Sequence, residues 1–308
     1  MKSLQAKYFK SSLPLLIASV AISFMMFYST GMGFVRNIEY YEYIIGELTK
    51  TITISSIIAF SLFASLCVFN IWSDEKNKRI EEFLLSTPLT KAQILMAKNK
   101  VLVLDILLMS ISLYVDIVAF KLIVISNSTM QMDIVELLFD GKYLVYMALN
   151  FSIVFAVAMA CTVIFLVVTD GKIAVAVNML FYIFFINLMY FFSKDGVNVI
   201  DSEIENKLLD LSTILSTIMI VLAIGILFAV AAYLLNRKYE SSKCGKLIWY
   251  KPARIIIVLT MGTILGFQSL NIESVEKMSD ITRFGLFTLC TVVVAIAVDK
   301  LLDRYDKE

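Results

Sequence analysis

Residues 143–169 read YLVYMALNFSIVFAVAMACTVIFLVVT, twenty-seven consecutive positions without a charge. A helix of ~20 apolar residues crosses the hydrocarbon core of a bilayer, and only a helix or a closed barrel can satisfy its own backbone there. This stretch predicts a membrane-spanning helix. Outward from it, 11–35, 51–73, 173–193 and 211–236 are charge-free runs of 25, 23, 21 and 26 residues, each long enough to cross. The first is too long for a signal-peptide core and is read as a retained span. Segment 101–126 is equally apolar but holds Asp105, Asp116 and Lys121, so it should cross with its charges turned to protein or water and Lys121 snorkelling to the nearer interface. Segments 255–272 and 284–298 are shorter, with 18 and 15 charge-free residues. They form two further spans if the last recruits flanking residues, with a re-entrant hairpin as the alternative. The expected fold is therefore all-α: a polytopic helical membrane protein with a six-span core over 1–236. A basic loop and two extra spans over 237–308 complete one transmembrane domain, 1–308.

Composition agrees and excludes much else. Of 308 residues, 59% are hydrophobic and 17% charged, against roughly 45–50% and about 25% in soluble domains. The chain has no histidine, which removes the commonest general base and metal ligand. Its four cysteines are far apart and form no C-x-x-C pair. A net charge of +1 argues against a nucleic-acid partner. A membrane-embedded enzyme would have Asp105, Asp116 and Asp170 as its acids, but no D-D-x-x-D or H-E-x-x-H cluster accompanies them. The chain is not expected to be an enzyme or to bind a cofactor or metal itself.

Basic residues orient the spans. With both termini in the cytoplasm, nineteen Lys and Arg fall inside and seven outside, as the positive-inside rule requires. The first ten residues, MKSLQAKYFK, read as a short interface helix with Leu4 and Tyr8 turned to lipid. Segment 237–254, RKYESSKCGKLIWYKPAR, reads as a basic anchor, with binding to anionic headgroups as an alternative.

The longest inner loop, 74–100, reads DEKNKRIEEFLLSTPLTKAQILMAKNK. Ile80, Phe83 and Leu84 follow a helical spacing opposite Lys76, Lys78, Arg79, Glu81 and Glu82, which predicts an amphipathic helix. Thr87-Pro88 ends it, because the residue before proline is pushed out of the helical region. Thr90 and Gln93 then match a capping box that starts a second helix leading into the third span.

This pattern resembles the membrane-spanning permease subunits of type 2 ABC transporters. The residues that carry the likeness are Glu75, Lys76, Lys78, Arg79, Glu81, Leu84, Leu85, Ser86, Thr87, Pro88, Ile94, Leu95 and Lys98. Where family members usually have glycine and threonine, this chain has Lys78-Arg79-Ile80. The resemblance implies a coupling helix that docks on a separate cytosolic ABC ATPase through Glu75, Lys78, Arg79, Glu81, Glu82, Phe83, Leu84, Leu85 and Pro88. It also implies a second permease, identical or homologous, and ATP with Mg used by the partner ATPase. No G-x-x-x-x-G-K-[ST] occurs in this chain. The expected role is the translocation path of an ATP-driven exporter in a bacterial plasma membrane. Its small outer loops fit a hydrophobic or amphipathic cargo, such as a toxin or bacteriocin-like peptide or a lipophilic antibiotic. The bland alternative for the loop is a helix lying on lipid headgroups.

Further candidates lie in the spans. Asp105 and Asp116, eleven residues apart, share a helix face, and a charge within a span is a functional hypothesis by default. Structural pairing is the competing reading. Asn178, Phe181, Phe185 and Asn187 belong to an aromatic fifth span that either lines a path for greasy cargo or contacts lipid. By the family resemblance, Phe60 and Phe63 of the second span would face the same path. The alternative function is an ion-gradient-coupled secondary carrier using Asp116.

Overall fold

A computed structural model of the chain describes residues 2–35, 41–77, 89–126, 141–168, 173–179, 181–182, 211–238, 254, 255, 258, 262 and 280–305. The long elements described are all helices: α1 (Lys2–Val35), α2 (Tyr41–Asn77), α3 (Lys91–Ser126), α4 (Gly141–Val167), α5 (Leu211–Lys238) and α6 (Asp280–Tyr305). Among the described residues, five stretches are long and apolar enough to cross a membrane: Leu4–Met25, Ser55–Trp72, Lys91–Ala119, Tyr143–Val167 and Ile214–Arg237. The chain is an all-helical, membrane-embedded protein.

α1 and α2 extend well beyond their charge-free runs. The N-terminal ten residues form no separate interface helix, because α1 runs unbroken from Lys2 through Pro14 to Val35. Leu4 and Tyr8 are buried in protein rather than turned to lipid. Pro14 removes the donor for the carbonyl of Lys10, and the next carbonyl, that of Ser11, accepts a hydrogen bond from Asn70 Nδ2 of α2 at 2.8 Å. α2 continues past the apolar run to Asn77, so 74–77 extend the second span. Residues 78–88, which hold most of the expected coupling helix, lie outside the described residues.

The chain divides into two compact units, Met1–Val163 with Lys194–Arg237, and Ile164–Ser193 with Lys238–Glu308. In the first unit α1, α2 and α3 pack pairwise. Tails of lipid are as apolar as leucine, so helices in a membrane associate through close packing and polar contacts. The buried side of α1 accordingly carries Leu4, Tyr8, Ser12, Leu16, Ser19 and Ser23, spaced three or four apart on one helix face. Ser12 and Ser19 turn their hydroxyls back to their own helix, onto the carbonyls of Phe9 and Leu16 at 3.2 and 2.7 Å. On α2, Phe60, Ser61, Ala64, Cys67 and Val68 are buried without measurable exposure. α4 joins this unit through Ser110 Oγ, which donates to Asn150 Oδ1 at 3.4 Å, and through Ser65 and Cys161, also 3.4 Å apart. α5 approaches α4 at Gly225, where a Cβ would lie 2.7 Å from the Phe155 ring and 3.3 Å from the Ala156 backbone. The rest of α5 is largely outward, with Met219, Ile220 and Leu227 exposed.

In the second unit, Arg254 donates to Asp299 of α6 through Nε at 2.9 Å and to its carbonyl through Nη2 at 2.9 Å. Gly262 meets Thr291 and Ala295 of α6. Moving from Arg254 to Gly262 while the partner moves back from Asp299 to Thr291 is an antiparallel register, as two segments joined in a hairpin require. α6 has 26 residues, a length of ~39 Å, so it recruits both flanks of its charge-free run.

A Cβ on Gly262 would sit 2.6 Å from the Thr291 carbonyl oxygen, a backbone atom that cannot swing away. Gly262→Ala should therefore lower the thermal unfolding midpoint of the detergent-purified protein. This runs against the ~1 kcal/mol by which alanine normally exceeds glycine in a helix. A raised midpoint would show that the two segments do not meet at this register.

Candidate functional site

Lys98, Asp105 and Asp116 lie on one line along α3. Seven residues bring the chain within about 20° of the starting direction and eighteen bring it round five full turns, so the three side chains share a face. All three are enclosed, at 4%, 0% and 5% exposure. Charged groups cannot face lipid cheaply, and here α1 and α2 cover them.

The lysine is held by aromatic rings. Its Nζ lies 3.6 Å from the centroid of Trp72 on α2 and 5.8 Å from that of Tyr8 on α1. An ammonium over a ring face is attracted by the ring quadrupole, more strongly when water is excluded. One side chain of α3 thereby ties together all three helices.

The carboxylates follow a matched spacing. Ser12 and Ser23 on α1 are eleven residues apart, as are Asp105 and Asp116 on α3. Ser23 Oγ donates to Asp116 Oδ2 at 2.6 Å, a charge-assisted hydrogen bond between parallel helices. At the other rung Ser12 and Cys67 lie beside Asp105, but neither carboxylate oxygen of Asp105 has a hydrogen-bond partner.

The loop end of α3 is built as its sequence predicts. Thr90 N donates to Gln93 Oε1 at 2.9 Å and Gln93 N donates to Thr90 Oγ1 at 3.2 Å, the reciprocal capping box. Ile94 N then donates to the Thr90 carbonyl at 3.1 Å. Asn236 Nδ2 of α5 donates to the Lys91 carbonyl at 3.1 Å. From this cap α3 continues for 36 residues as one helix.

Of the expected coupling residues, Glu75 is in the last turn of α2, while Lys78, Arg79, Glu81, Glu82, Phe83, Leu84, Leu85 and Pro88 lie outside the described residues. Phe60 is buried and Phe63 half-buried in the first unit. Asn178 is buried in the second unit with both amide atoms unpartnered, and Phe181 there is half-buried. Phe185 and Asn187 lie outside the described residues. The structure adds Tyr8, Ser12, Ser23, Cys67 and Trp72 to the site. The equal spacing of the two serines and the two aspartates was the signal in the sequence that could have paired α1 with α3. Among the described residues no group of three acidic, cysteine or histidine side chains is placed to hold a metal.

Comparison with protein families, with curated proteins and with solved structures finds no match to this chain.

Replacing Trp72 with leucine leaves the Lys98 ammonium without its nearer aromatic face. The variant should lose about 2 kcal/mol of stability, read as a lowered unfolding midpoint, whereas Trp72→Phe should lose less and Lys98→Arg least. Equal losses for the leucine and phenylalanine variants would count against the ring–cation contact.

Proposed function

We propose that this chain is the permease subunit of an ATP-driven ABC exporter. It would pair with a second permease, identical or homologous, and dock on a separate cytosolic ATPase that uses ATP and Mg. In this reading the chain has six core spans followed by two more, with both termini on the cytoplasmic face of a bacterial plasma membrane. The cargo is hydrophobic or amphipathic, a toxin or bacteriocin-like peptide or a lipophilic antibiotic.

The observation that carries the reading is the continuity of α3. The loop with the family-like sequence ends in the Thr90–Gln93 capping box, and the helix it caps runs without interruption along the apolar stretch Lys91–Ala119. A force applied to the loop therefore reaches the membrane through a rigid rod rather than a flexible joint. The Lys98 contacts deliver the same movement to α1 and α2. The apolar ridge Phe83, Leu84 and Leu85 can fill a groove on the ATPase while Glu75, Glu81 and Glu82 form a polar rim around it.

The test is purification of the tagged protein from its native membrane in mild detergent. A near-stoichiometric ATPase should accompany it and should be lost when Leu84 and Leu85 are both changed to aspartate. Recovery of the chain alone, without ATP hydrolysis, would displace this reading. The gradient-coupled carrier would take its place, and there Asp116→Asn should abolish transport driven by a proton or sodium gradient.

A further inference from the structure

We infer that Asn236 is a positioning residue, the link through which a movement of the loop at 74–100 reaches α5. The inference deepens the permease reading and rests on it. Of the five apolar stretches, that of α5 is the least enclosed. Among its described residues only Ile218, Gly225 and Ala232 are buried, each seven positions from the last and so on one face of the helix. Gly225, which lies against Phe155 of α4, offers no side chain to this seam, and Ala232 offers a methyl group, so there is little to interlock. Asn236 stands four residues beyond Ala232 on the same side, past the exposed apolar positions Val230, Tyr233 and Leu234. There its Nδ2 donates to the Lys91 carbonyl of α3 at 3.1 Å.

The acceptor is main chain, in the first turn of α3 and one residue after Thr90 of the capping box. A carbonyl oxygen has two lone pairs, so Lys91 can serve its own helix and still accept from α5. A side-chain acceptor could absorb a shift of the loop by changing rotamer, whereas a backbone oxygen moves only with the helix that carries it. Any displacement of the loop that shifts the cap therefore shifts the acceptor of Asn236. α5 can follow, because so little of its surface is engaged. The ring contacts of Lys98 go to α1 and α2, and Asn236 adds α5 to the helices that move with α3. The residue type fits this task. Where a helix leaves its apolar run a charged side chain is enough for solubility, as Arg237 and Lys238 show, but asparagine combines a short reach with a donor.

Hydrogen–deuterium exchange of the tagged complex, purified in mild detergent with its ATPase, tests it. Exchange is measured without nucleotide and with ATP, Mg and vanadate. The difference between the two states is read, since amide exchange reports local opening. In the wild type that difference should appear both at 89–100 and at 230–238. In Asn236→Leu, which has no donor, and in Asn236→Asp, whose carboxylate only accepts, it should remain at 89–100 and vanish at 230–238. Asn236→Gln keeps the amide one methylene further out and should restore it in part. A difference at 230–238 that survives in the leucine or aspartate variant would overturn the inference. So would its absence there in the wild type, or a loss in Asn236→Gln as complete as in Asn236→Leu, which would mark a simple loosening of the helix end. A chain recovered without an ATPase, or one whose 89–100 is indifferent to nucleotide, would instead overturn the permease reading, and the inference with it.

Discussion

The ammonium of Lys98 beneath the indole of Trp72 is the contact on which the arrangement of the first unit depends. Exposing a charged residue to lipid at mid-helix costs about 2.5–3.5 kcal/mol even on the mildest scale, and α3 carries three ionisable groups in one line. That face must be covered along most of its length. α1 and α2 do so, and their buried sides are composed for it, with serines and alanines that allow close approach and aromatic rings where the lysine ends. By contrast, α5 has no charge between 211 and 236, so nothing requires it to be enclosed. Most of it stays on the outside, and it approaches α4 closely at Gly225, where there is no side chain to prevent it.

How much of this was legible follows from whether the cause is local. The Thr90–Gln93 box involves two residues one turn apart, and it formed as read. The charge-free runs around 143–169 and 211–236 became α4 and α5, since length and apolarity alone decide whether a helix can cross. The shared face of Asp105 and Asp116 followed from helical period. The placement of Tyr8 did not, because its neighbourhood, MKSLQAKYFK, fits a lipid interface as well as a protein one. Tyr8 turns inward beside Lys98, ninety residues further along, and periodicity says which residues share a face but not what that face meets. The end of α2 was obscured for a related reason. Charges at 74–76 mark where the membrane ends, and a helix need not end there.

The same distinction applies to the serines of α1. A serine within a helix is commonly satisfied by a carbonyl of its own preceding turn, and Ser12 and Ser19 are bonded in this way. Ser23 is the exception, and its partner on α3 makes it one. Identical residue types on one face thus have different roles, set by what stands opposite.

The length of α3 has a mechanical consequence. Thirty-six residues extend ~54 Å, nearly twice the hydrocarbon thickness, so a substantial part must stand outside. The loop end, with its polar cap, Lys91 and Lys100, is the end suited to water. Lys98 is the first enclosed charge inward from that cap, and its ring contacts tie α3 to α1 and α2. In the coupling role proposed above, a displacement at the loop carries Lys98, Asp105 and Asp116 with it, because they lie along one unbroken helix. The hydrogen bond from Ser23 resists that movement, and one to a charged group is worth about 1.5–3 kcal/mol. It is one of several contacts that hold α3 in place, beside the rings over Lys98 and the hydrogen bond from Ser110 to Asn150 of α4.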